Sequence, residues 1–400
     1  MTETSNADFP RIISVDDHVV EPPTLWTDRL PSKYGDRIPH VVREKFENPA
    51  DAAVTVHDGW GDVWHYDGLR SPMMMLMAAV GAPELNFDVT NYDIILPGCW
   101  KQTERLADMD ANHVEVSMCY PNTLPRFCGQ TFAERDDKEL ALLCVQAYND
   151  WMIDEWCAGA GKGRLVPVTM VPLWDPELAA AEVRRCAAKG SHAITFSENP
   201  HPLGLPSIHS GKWDPMFQAC QETETVVNMH IGSSSRMPGT TPDAPFIVSS
   251  VLTFQNAMGS LVDYIFSGTL ARFPDLVLAY AEGQVGWMPY VLERADKLWA
   301  ERSDNSFGTG LPDPPSSYVR GRVYGCIFDD ETGLENRHRV GMDQICFETD
   351  YPHADSTFPH SLATAEHICK QAGLNDDEIY KFMRGNAIKA FGLERWGITK

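Results

Sequence analysis

The residues of this chain that are best suited to chemistry are acids and histidines that follow short apolar runs. Asp16 and His18 end the first run, and because side chains alternate between the two faces of a strand, both point to the same side. His230 ends a later run, and Asp350 ends the last one. Zinc and manganese both accept carboxylate and imidazole ligands. The four residues therefore indicate a divalent metal site, with Zn²⁺ expected and Mn²⁺ as the alternative.

The same residues also have ordinary structural interpretations. Asp16 and Asp350 could cap turns, because aspartate is common before loops, and a lone histidine is more often a hydrogen-bonded structural residue. Asp350 has a further chemical use, since a carboxylate beside the ion could take a proton from water as a general base. His353, three residues later, either contacts the substrate or holds the loop, and the sequence leaves both open.

Eight apolar, β-branched runs recur along the chain with helix-like segments between them. They comprise residues 11–15, 114–120, 165–173, 192–196, 225–230, 276–281, 322–328 and 344–349. This alternation predicts a parallel α/β sheet built from βα units, and eight strands are the number that a closed (β/α)₈ TIM barrel requires. Active sites of such barrels lie at the C-terminal ends of the strands, which is where the four candidate ligands fall.

Helix signals are clear at two places between these runs. Asp175 and Pro176 are typical of a helix start, and Lys189 with Gly190 is typical of its end. Apolar residues from Leu140 to Trp151 recur at helical spacing, which predicts an amphipathic helix that packs on the core.

The segment 22–100 separates the first run from the second and is too long for a simple connection. A long connection beside the active face of a barrel usually has a function, so we expect an insertion or lid over the site. No linker divides the remainder. Residues 1–400 are expected to form a single metal-dependent barrel domain that carries this insertion.

Composition restricts the partners and the cellular location. The formal net charge of −23 argues against nucleic acid and anionic membrane surfaces and leaves a small molecule as the expected partner. The ten cysteines show no C-x-x-C spacing, which favours buried free thiols in a reducing compartment. Residues 1–10 lack the basic and apolar regions of a signal peptide, and no apolar run reaches the ~18 residues of a membrane span. We expect a cytoplasmic protein.

The pair Asp16-x-His18, then His230, and then Asp350 in a Thr-Asp-Tyr-Pro-His run resemble the motifs of the amidohydrolase-related family. Further matches are residues 286–290 and 385–393. The branch in question contains aminocarboxymuconate-semialdehyde decarboxylase, resorcylate-type decarboxylases, lactonases and C–C hydrolases. The resemblance implies that Asp16, His18, His230 and Asp350 hold one divalent ion on a TIM barrel, and that the chain forms a homodimer.

Two positions depart from the pattern of that family. Its members usually carry His or Glu where this chain has Asp16, which is a tolerable exchange of ligands. After the sixth strand they usually carry a histidine, whereas this chain has Glu282. A carboxylate there could bind the ion, act as an acid or base, or anchor a loop.

Two reactions fit such a site. In the first, metal-activated water attacks a carbonyl, amide, lactone or activated C–C bond, and Asp350 moves the proton. In the second, an aromatic or enolic acid loses carbon dioxide without oxidation after Asp350 protonates the ring. An extra anion at Glu282 opposes binding of a carboxylate substrate, and Arg236 could offset it, so hydrolysis is slightly favoured.

Two other readings are weaker. An inert barrel that only binds a ligand or assembles would not need four ligand-type residues at strand ends. A serine hydrolase would need a G-x-S-x-G elbow, and the run Ser233-Ser234-Ser235 lacks that context. The aromatic residues of the segment 22–100 suggest a hydrophobic or aromatic substrate, although such residues equally serve packing.

Overall fold

The computed structural model describes residues 9–46, 59–80, 87–301 and 310–399. Part of the expected insertion, residues 47–58 and 81–86, lies outside the described residues. So do residues 1–8, which contributed to the expectation about a signal peptide.

Twelve strands lie within the described part of the chain. They are β1 Ile12–His18, β2 His40–Lys45, β3 Trp60–Tyr66, β4 Leu69–Pro72, β5 Val114–Tyr120, β6 Leu165–Pro167, β7 Thr169–Met170, β8 Ala193–Ser197, β9 Val226–His230, β10 Leu278–Ala281, β11 Val323–Ile327 and β12 Ile345–Phe347. Each of the eight predicted runs overlaps a strand, and the run 165–173 holds two, β6 and β7, separated by one residue.

Fourteen α-helices connect these strands in the same described ranges. They are α1 Gln102–Ala111, α2 Gln130–Ala133, α3 Lys138–Trp151, α4 Pro176–Ala188, α5 Asp214–Glu222, α6 Phe246–Leu252, α7 Gln255–Phe266, α8 Thr269–Arg272, α9 Met288–Glu301, α10 Glu331–Glu335, α11 Arg337–Val340, α12 Ser361–Gln371, α13 Asp376–Tyr380 and α14 Asn386–Phe391. The two predicted helices are α3 and α4, and the predicted cap Asp175 accepts hydrogen bonds from the backbone N–H groups of Glu177 and Leu178.

The strands form two parallel sheets and one antiparallel sheet. The parallel orders are β1-β5-β6 and β7-β8-β9-β10-β11-β12, so the strands follow one another in chain order. The predicted α/β class with parallel strands is therefore confirmed. No regular strand pairing joins β12 to β1 in the described residues. There the backbone N–H groups of Asp350 and His18 instead donate to the carbonyls of Asp16 and Tyr351.

Two apolar clusters flank the parallel strands. The larger one lies between strands and helices, whereas the smaller one contains alternate strand residues such as Ile13, Val15, Met118 and Cys346. Side chains of α14, among them Phe391, complete the smaller cluster. Fully burying one large aliphatic side chain contributes about 1.5–3 kcal/mol, so the two clusters together stabilise the packing of the parallel strands.

The antiparallel sheet β2-β3-β4 lies in the segment 22–100 and was not foreseen from the sequence. It packs through aromatic rings: Trp64 lies 5.3 Å from Trp26, and Tyr66 lies 5.4 Å from Phe132 of α2. Aromatic edge-to-face pairs of this kind stabilise the fold beyond the burial of their apolar surface. Several aromatic residues of this segment thus serve packing.

All ten cysteines are buried and free, as the sequence predicted. In the ranges that the structure describes, no helix has both the length and the apolar character needed to cross a membrane.

Candidate metal centre

Strand β1 ends with three polar residues, Asp16, Asp17 and His18, whose side chains alternate between the two sides of the strand. A register shift between Ser14 and Asp17 interrupts the pairing of β1 with β5. Asp17 faces outward and accepts hydrogen bonds from the hydroxyl groups of Ser14, Ser117 and Thr349 and from the N–H of Tyr351. It therefore ties the end of β1 to β5 and to the segment after β12.

Replacing Asp17 with alanine is expected to lower the free energy of unfolding by about 3 kcal/mol, because the buried donors of Ser117, Thr349 and Tyr351 lose their acceptor. The measurement is urea unfolding of metal-free protein, followed by tryptophan fluorescence. Exposed Asp28, replaced by alanine, is the control and should change the midpoint little. Equal midpoints for the two variants would contradict this role of Asp17.

The structure brings Asp16, His18, His230 and Asp350 together, with one ligand atom of each lying within 4.8 Å of the others. All four are buried. The two Nε2 atoms of the histidines are 2.9 Å apart. Asp16 and Asp350 place carboxylate oxygens 3.5–3.6 Å from them. Residues from β1, β9 and the segment after β12 thus converge on one point.

The hydrogen bond made by Nδ1 of each histidine shows which ring nitrogen carries the proton. Nδ1 of His18 donates to the carbonyl of Pro121 at 3.0 Å, and Nδ1 of His230 donates to the carbonyl of Ile231 at 2.7 Å. Because a carbonyl oxygen only accepts, each neutral ring carries its proton on Nδ1. Two Nε2 lone pairs therefore face each other, an arrangement that a cation stabilises, and such outer hydrogen bonds are typical of metal-binding histidines.

The carboxylates give a second test of whether a cation fits. Both oxygens of Asp16 and both oxygens of Asp350 are buried and have no hydrogen-bond partner in the described residues. Buried charged groups are normally paired or coordinate metals, because removing them from water is costly. The donor set of two nitrogens and two carboxylates therefore suits a divalent ion.

Without a cation, burial destabilises every charge in this cluster. Burial lowers the pKa of His230 to about 3 and holds the pKa of His18 well below its usual range. Burial also raises the pKa of Asp16 and of Asp350 well above the usual range, and neighbouring acids add to both shifts. Neutral imidazoles are the form that binds metal.

Glu282 and His353 lie on the open side of this cluster. The Glu282 side chain is 15% exposed, and its Oε2 is 3.6 Å from Nε2 of His230. Burial lowers the pKa of His353 to about 4, and its ring stacks on His18 with the centroids 4.0 Å apart. With Asp350 they form a second group of metal-ligand type. All six predicted site residues thus lie in one region.

Glu348 was missed by the sequence interpretation. It is fully buried beneath the site, where its Oε2 accepts from the N–H of Glu282 and from the thiol of Cys326. Burial raises the pKa of Glu348 to about 8. Glu348 and Asp350 are two residues apart, as are Asp16 and His18, so the same alternation could have revealed it. Backbone φ angles near +50° at Glu282 and Asp350 are another sign of a functional region.

A cavity of about 410 Å³ adjoins the cluster. Phe127, which lines it, stacks on His230 at 4.2 Å, and Asn122 of the same wall lies 3.3 Å from Nε2 of His353. Met73 and Met77, from the segment 22–100, form another wall. The other lining residues include Trp64, Arg126 and Arg236. This cavity, called the methionine pocket below, is largely apolar with two cationic groups.

A larger cavity of about 760 Å³ lies between the loop after β9 and helices α7 and α9. It shares Arg236 and Met237 with the methionine pocket, and neither lining includes any of the four clustered residues. The methionine pocket is the one next to the cluster, because its lining residues Phe127 and Asn122 contact His230 and His353.

Comparisons with known proteins show the family and a shared fold. A family model described as amidohydrolase matches residues 93–393. An amidohydrolase from Mycobacterium avium subsp. paratuberculosis K-10 is similar in structure, with a TM-score of 0.71, 20% sequence identity, and coverage of 97% of this chain and 100% of that one.

Two decarboxylases are similar over a smaller part. A 5-carboxyvanillate decarboxylase from Sphingomonas paucimobilis has a TM-score of 0.55 and 21% identity, over 72% of this chain and 82% of that one. A dihydroxybenzoic acid decarboxylase from Polaromonas sp. JS666, with bound manganese and 2-nitroresorcinol, has a TM-score of 0.57 and 19% identity, over 74% of this chain and 86% of that one. At these identities the likeness shows a shared fold.

Proposed function

The chain belongs to the amidohydrolase family, and from this premise we propose that it is a metal-dependent hydrolase of a small aromatic or cyclic substrate. The observation that carries the proposal is the convergence of Asp16, His18, His230 and Asp350, with four carboxylate oxygens that accept no hydrogen bond within the described residues. These four residues would hold the ion. We expect Zn²⁺, with Mn²⁺ as the alternative, since both accept this donor set.

A divalent ion bound there would supply positive charge that polarises a carbonyl group, lowers the pKa of water and keeps the carboxylates of its own ligands, Asp16 and Asp350, ionised. Asp350 acts as the general base that takes a proton from the attacking water. Burial favours the protonated form of Glu282, whose pKa is raised well above its usual range, so Glu282 donates a proton to the leaving group. Nδ1 of His353 lies 2.9 Å from Oδ1 of Asp350, within reach for passing a proton to or from that carboxylate.

The lining of the methionine pocket favours a small aromatic or cyclic substrate. Met73, Met77 and Phe127 offer apolar contacts to a ring, and their cavity has the volume of a small organic molecule. Arg126 pairs with Glu134, whereas the exposed side chain of Arg236 has no ion-pair partner in the described chain. Arg236 is therefore available to an anionic or polar group of the substrate.

Decarboxylation of an aromatic or enolic acid is the second candidate. The observation that favours it is Arg236, whose free charge could hold a carboxylate and offset Glu282. Structurally similar proteins described as decarboxylases of aromatic acids support it about as well as the family supports hydrolysis. In this reaction Asp350 would protonate the ring carbon as carbon dioxide leaves.

Removing the metal and varying the substrate test the proposal together. Protein stripped with chelator is expected to lose about 10³-fold or more in rate and to recover with Zn²⁺ or Mn²⁺, since the ion supplies several kcal/mol of transition-state stabilisation. The loaded protein should hydrolyse aromatic esters, lactones or amides, and the Asp350→Asn variant should not. Release of carbon dioxide from hydroxybenzoates, with no hydrolysis, would replace the first function by the second.

Other features are proposed on the same basis. The parallel strands are expected to close into a (β/α)₈ barrel, and residues 22–100 to act as an insertion that covers the site within a single domain, because Met73 and Met77 line the methionine pocket. The homodimer implied by the family stays a prediction, which sedimentation would test. The ten free thiols favour the cytoplasm.

A further inference from the structure

The larger cavity, of about 760 Å³, has no part in the proposed reaction. It lies between the loop after β9 and helices α7 and α9, and it is called the outer cavity below. Arg236 and Met237 line both this cavity and the methionine pocket, so the two cavities meet across these side chains. Met237 is 50% exposed and Arg236 is also exposed, so neither is packed in place. A molecule in the methionine pocket can therefore extend past them into the outer cavity.

The outer cavity carries free positive charge. Arg236 lies on its loop side and Arg294 on its α9 side. Neither guanidinium makes an ion pair or a hydrogen bond with any part of the chain that the structure describes. The acid of the same lining, Asp263, is engaged, because its Oδ1 accepts from Nε2 of His209 at 2.9 Å. The two free cations therefore suit an anionic group of a ligand.

The apolar side of the outer cavity includes space that the protein leaves open. Val262 and Phe266 of α7 and Leu298 of α9 line it. Gly259, which also lines it from α7, has no heavy atom within 4 Å of the position that a Cβ atom would take. Glycine inside a helix is less stable than alanine, so this position forgoes helix stability and keeps the cavity wide. Cavities of this volume enclose organic molecules of moderate size.

Buried hydrogen bonds fix the backbone of the loop that carries Arg236. Oε1 of Glu198, the residue after β8, accepts from the hydroxyl of Ser234 at 2.8 Å and from the amide of Asn256 at 3.0 Å. The same amide nitrogen donates to the carbonyl of Arg236 at 2.7 Å. Glu198 and Ser234 are buried. A fixed backbone with a free guanidinium is preorganised, because little of the loop must be ordered when a ligand binds.

We propose that the outer cavity holds an aliphatic tail of the substrate that ends in a carboxylate, while the ring of the same substrate lies in the methionine pocket. Only the placement of the reacting end rests on the proposed function. The tail packs on α7 and α9, its carboxylate pairs with Arg294, and Arg236 contacts the substrate where the cavities meet. Binding energy from such a remote part distinguishes substrates that share one reacting group.

Binding of an unreactive ketone tests the tail site without any assay of activity. The probe is the monophenyl ketone of suberic acid, which carries the ring, the tail and the carboxylate, and the reference compound is acetophenone, which carries the ring alone. Titration calorimetry of the intact, metal-loaded protein should show at least about tenfold tighter binding of the long ketone, because its tail buries apolar surface.

Variants of the outer cavity should weaken the long ketone selectively. Gly259→Leu projects into the cavity and should remove most of the tenfold gain, whereas Gly259→Ala, its matched control, should retain most of it. Arg294→Gln should weaken the long ketone about fivefold, the scale of a partly exposed ion pair. Arg320→Gln is the control for charge, because Arg320 is an exposed arginine that lines neither cavity, and it should bind both ketones as the unmodified protein does.

Hydrolysis of two esters separates the tail site from the proposed function. With uptake of one water, monophenyl suberate gives phenol and suberate, and phenyl acetate gives phenol and acetate. Gly259→Leu and Arg294→Gln should raise KM for monophenyl suberate far more than for phenyl acetate, which does not reach the outer cavity. Equal affinities for the two ketones, or no effect of either variant, would overturn the tail site and leave the proposed function intact. Tight binding of the long ketone that both variants weaken, with neither ester hydrolysed, would overturn the proposed function and leave the outer cavity as a site for aliphatic carboxylates.

Discussion

Replacing His230 with alanine is expected to remove the tightly bound ion and to lower kcat/KM by about 10³-fold or more, the scale of several kcal/mol of lost transition-state stabilisation. The physical reason is the donor set. One of the two imidazole nitrogens disappears, which leaves a single nitrogen ligand and two carboxylates in a buried position. A site with fewer imidazole nitrogens among its carboxylates binds Zn²⁺ less tightly.

Metal content of protein purified without chelator, measured together with kcat/KM, checks this result. His367→Ala is the matched control, because His367 is exposed on α12 and away from the cluster. Circular dichroism should show that both variants are folded, since Phe127 loses its stacking partner in the first of them. Full metal content and full rate in the His230 variant would contradict the proposed ligand set.

Much of this site could be predicted because it depends on local regularities. Alternation along a strand places Asp16 and His18 on one side, and the rule that barrel sites lie at strand ends connects them with His230 and Asp350. These rules need no knowledge of which residues meet across the chain. The structure brings the four residues together across more than 300 positions of sequence.

The parts that were missed depend on contacts between distant segments. Asn122 orients His353 only because Met77, from a different segment, holds its amide group. The carboxylate of Glu348, after β12, accepts from the N–H of Glu282, after β10, across the end of the intervening strand β11, and no spacing along one strand reveals this contact. Such pairings follow from tertiary packing, and one sequence by itself contains no signal for them.

The antiparallel sheet of β2, β3 and β4 illustrates a different limit. Its strands are short, and β2 and β4 contain charged and half-exposed residues instead of clean apolar alternation. Packing of Trp64 and Tyr66 against other aromatic rings stabilises the sheet. Propensity and periodicity are weak guides where tertiary contacts of this kind decide the structure. The segment 22–100 was therefore recognised by its length, and its strands were not.

Replacing Glu282 with glutamine is expected to lower kcat about 100-fold while KM and the affinity of the ion change little, as for the loss of a general acid. Glutamine keeps the size of the side chain and can accept hydrogen bonds, but it cannot donate the carboxyl proton. Glu282 is not one of the four clustered residues, so the ion should remain. Metal content should be measured on the same samples as the rate.

The three roles open to Glu282 predict different results in the same assays. If it only anchored a loop, glutamine would preserve kcat, because the backbone contact between Glu282 and Glu348 does not involve its side chain. If it held the ion, glutamine would lower metal content as well as rate. Glu282→Asp keeps the acid but shortens it, so partial recovery of the rate at unchanged metal content indicates proton transfer. Asp329→Asn neutralises an acid outside the cluster and is the control, which should keep the rate of the unmodified protein. A loss confined to Glu282→Gln, without loss of metal, identifies proton transfer as the chemistry of this side chain.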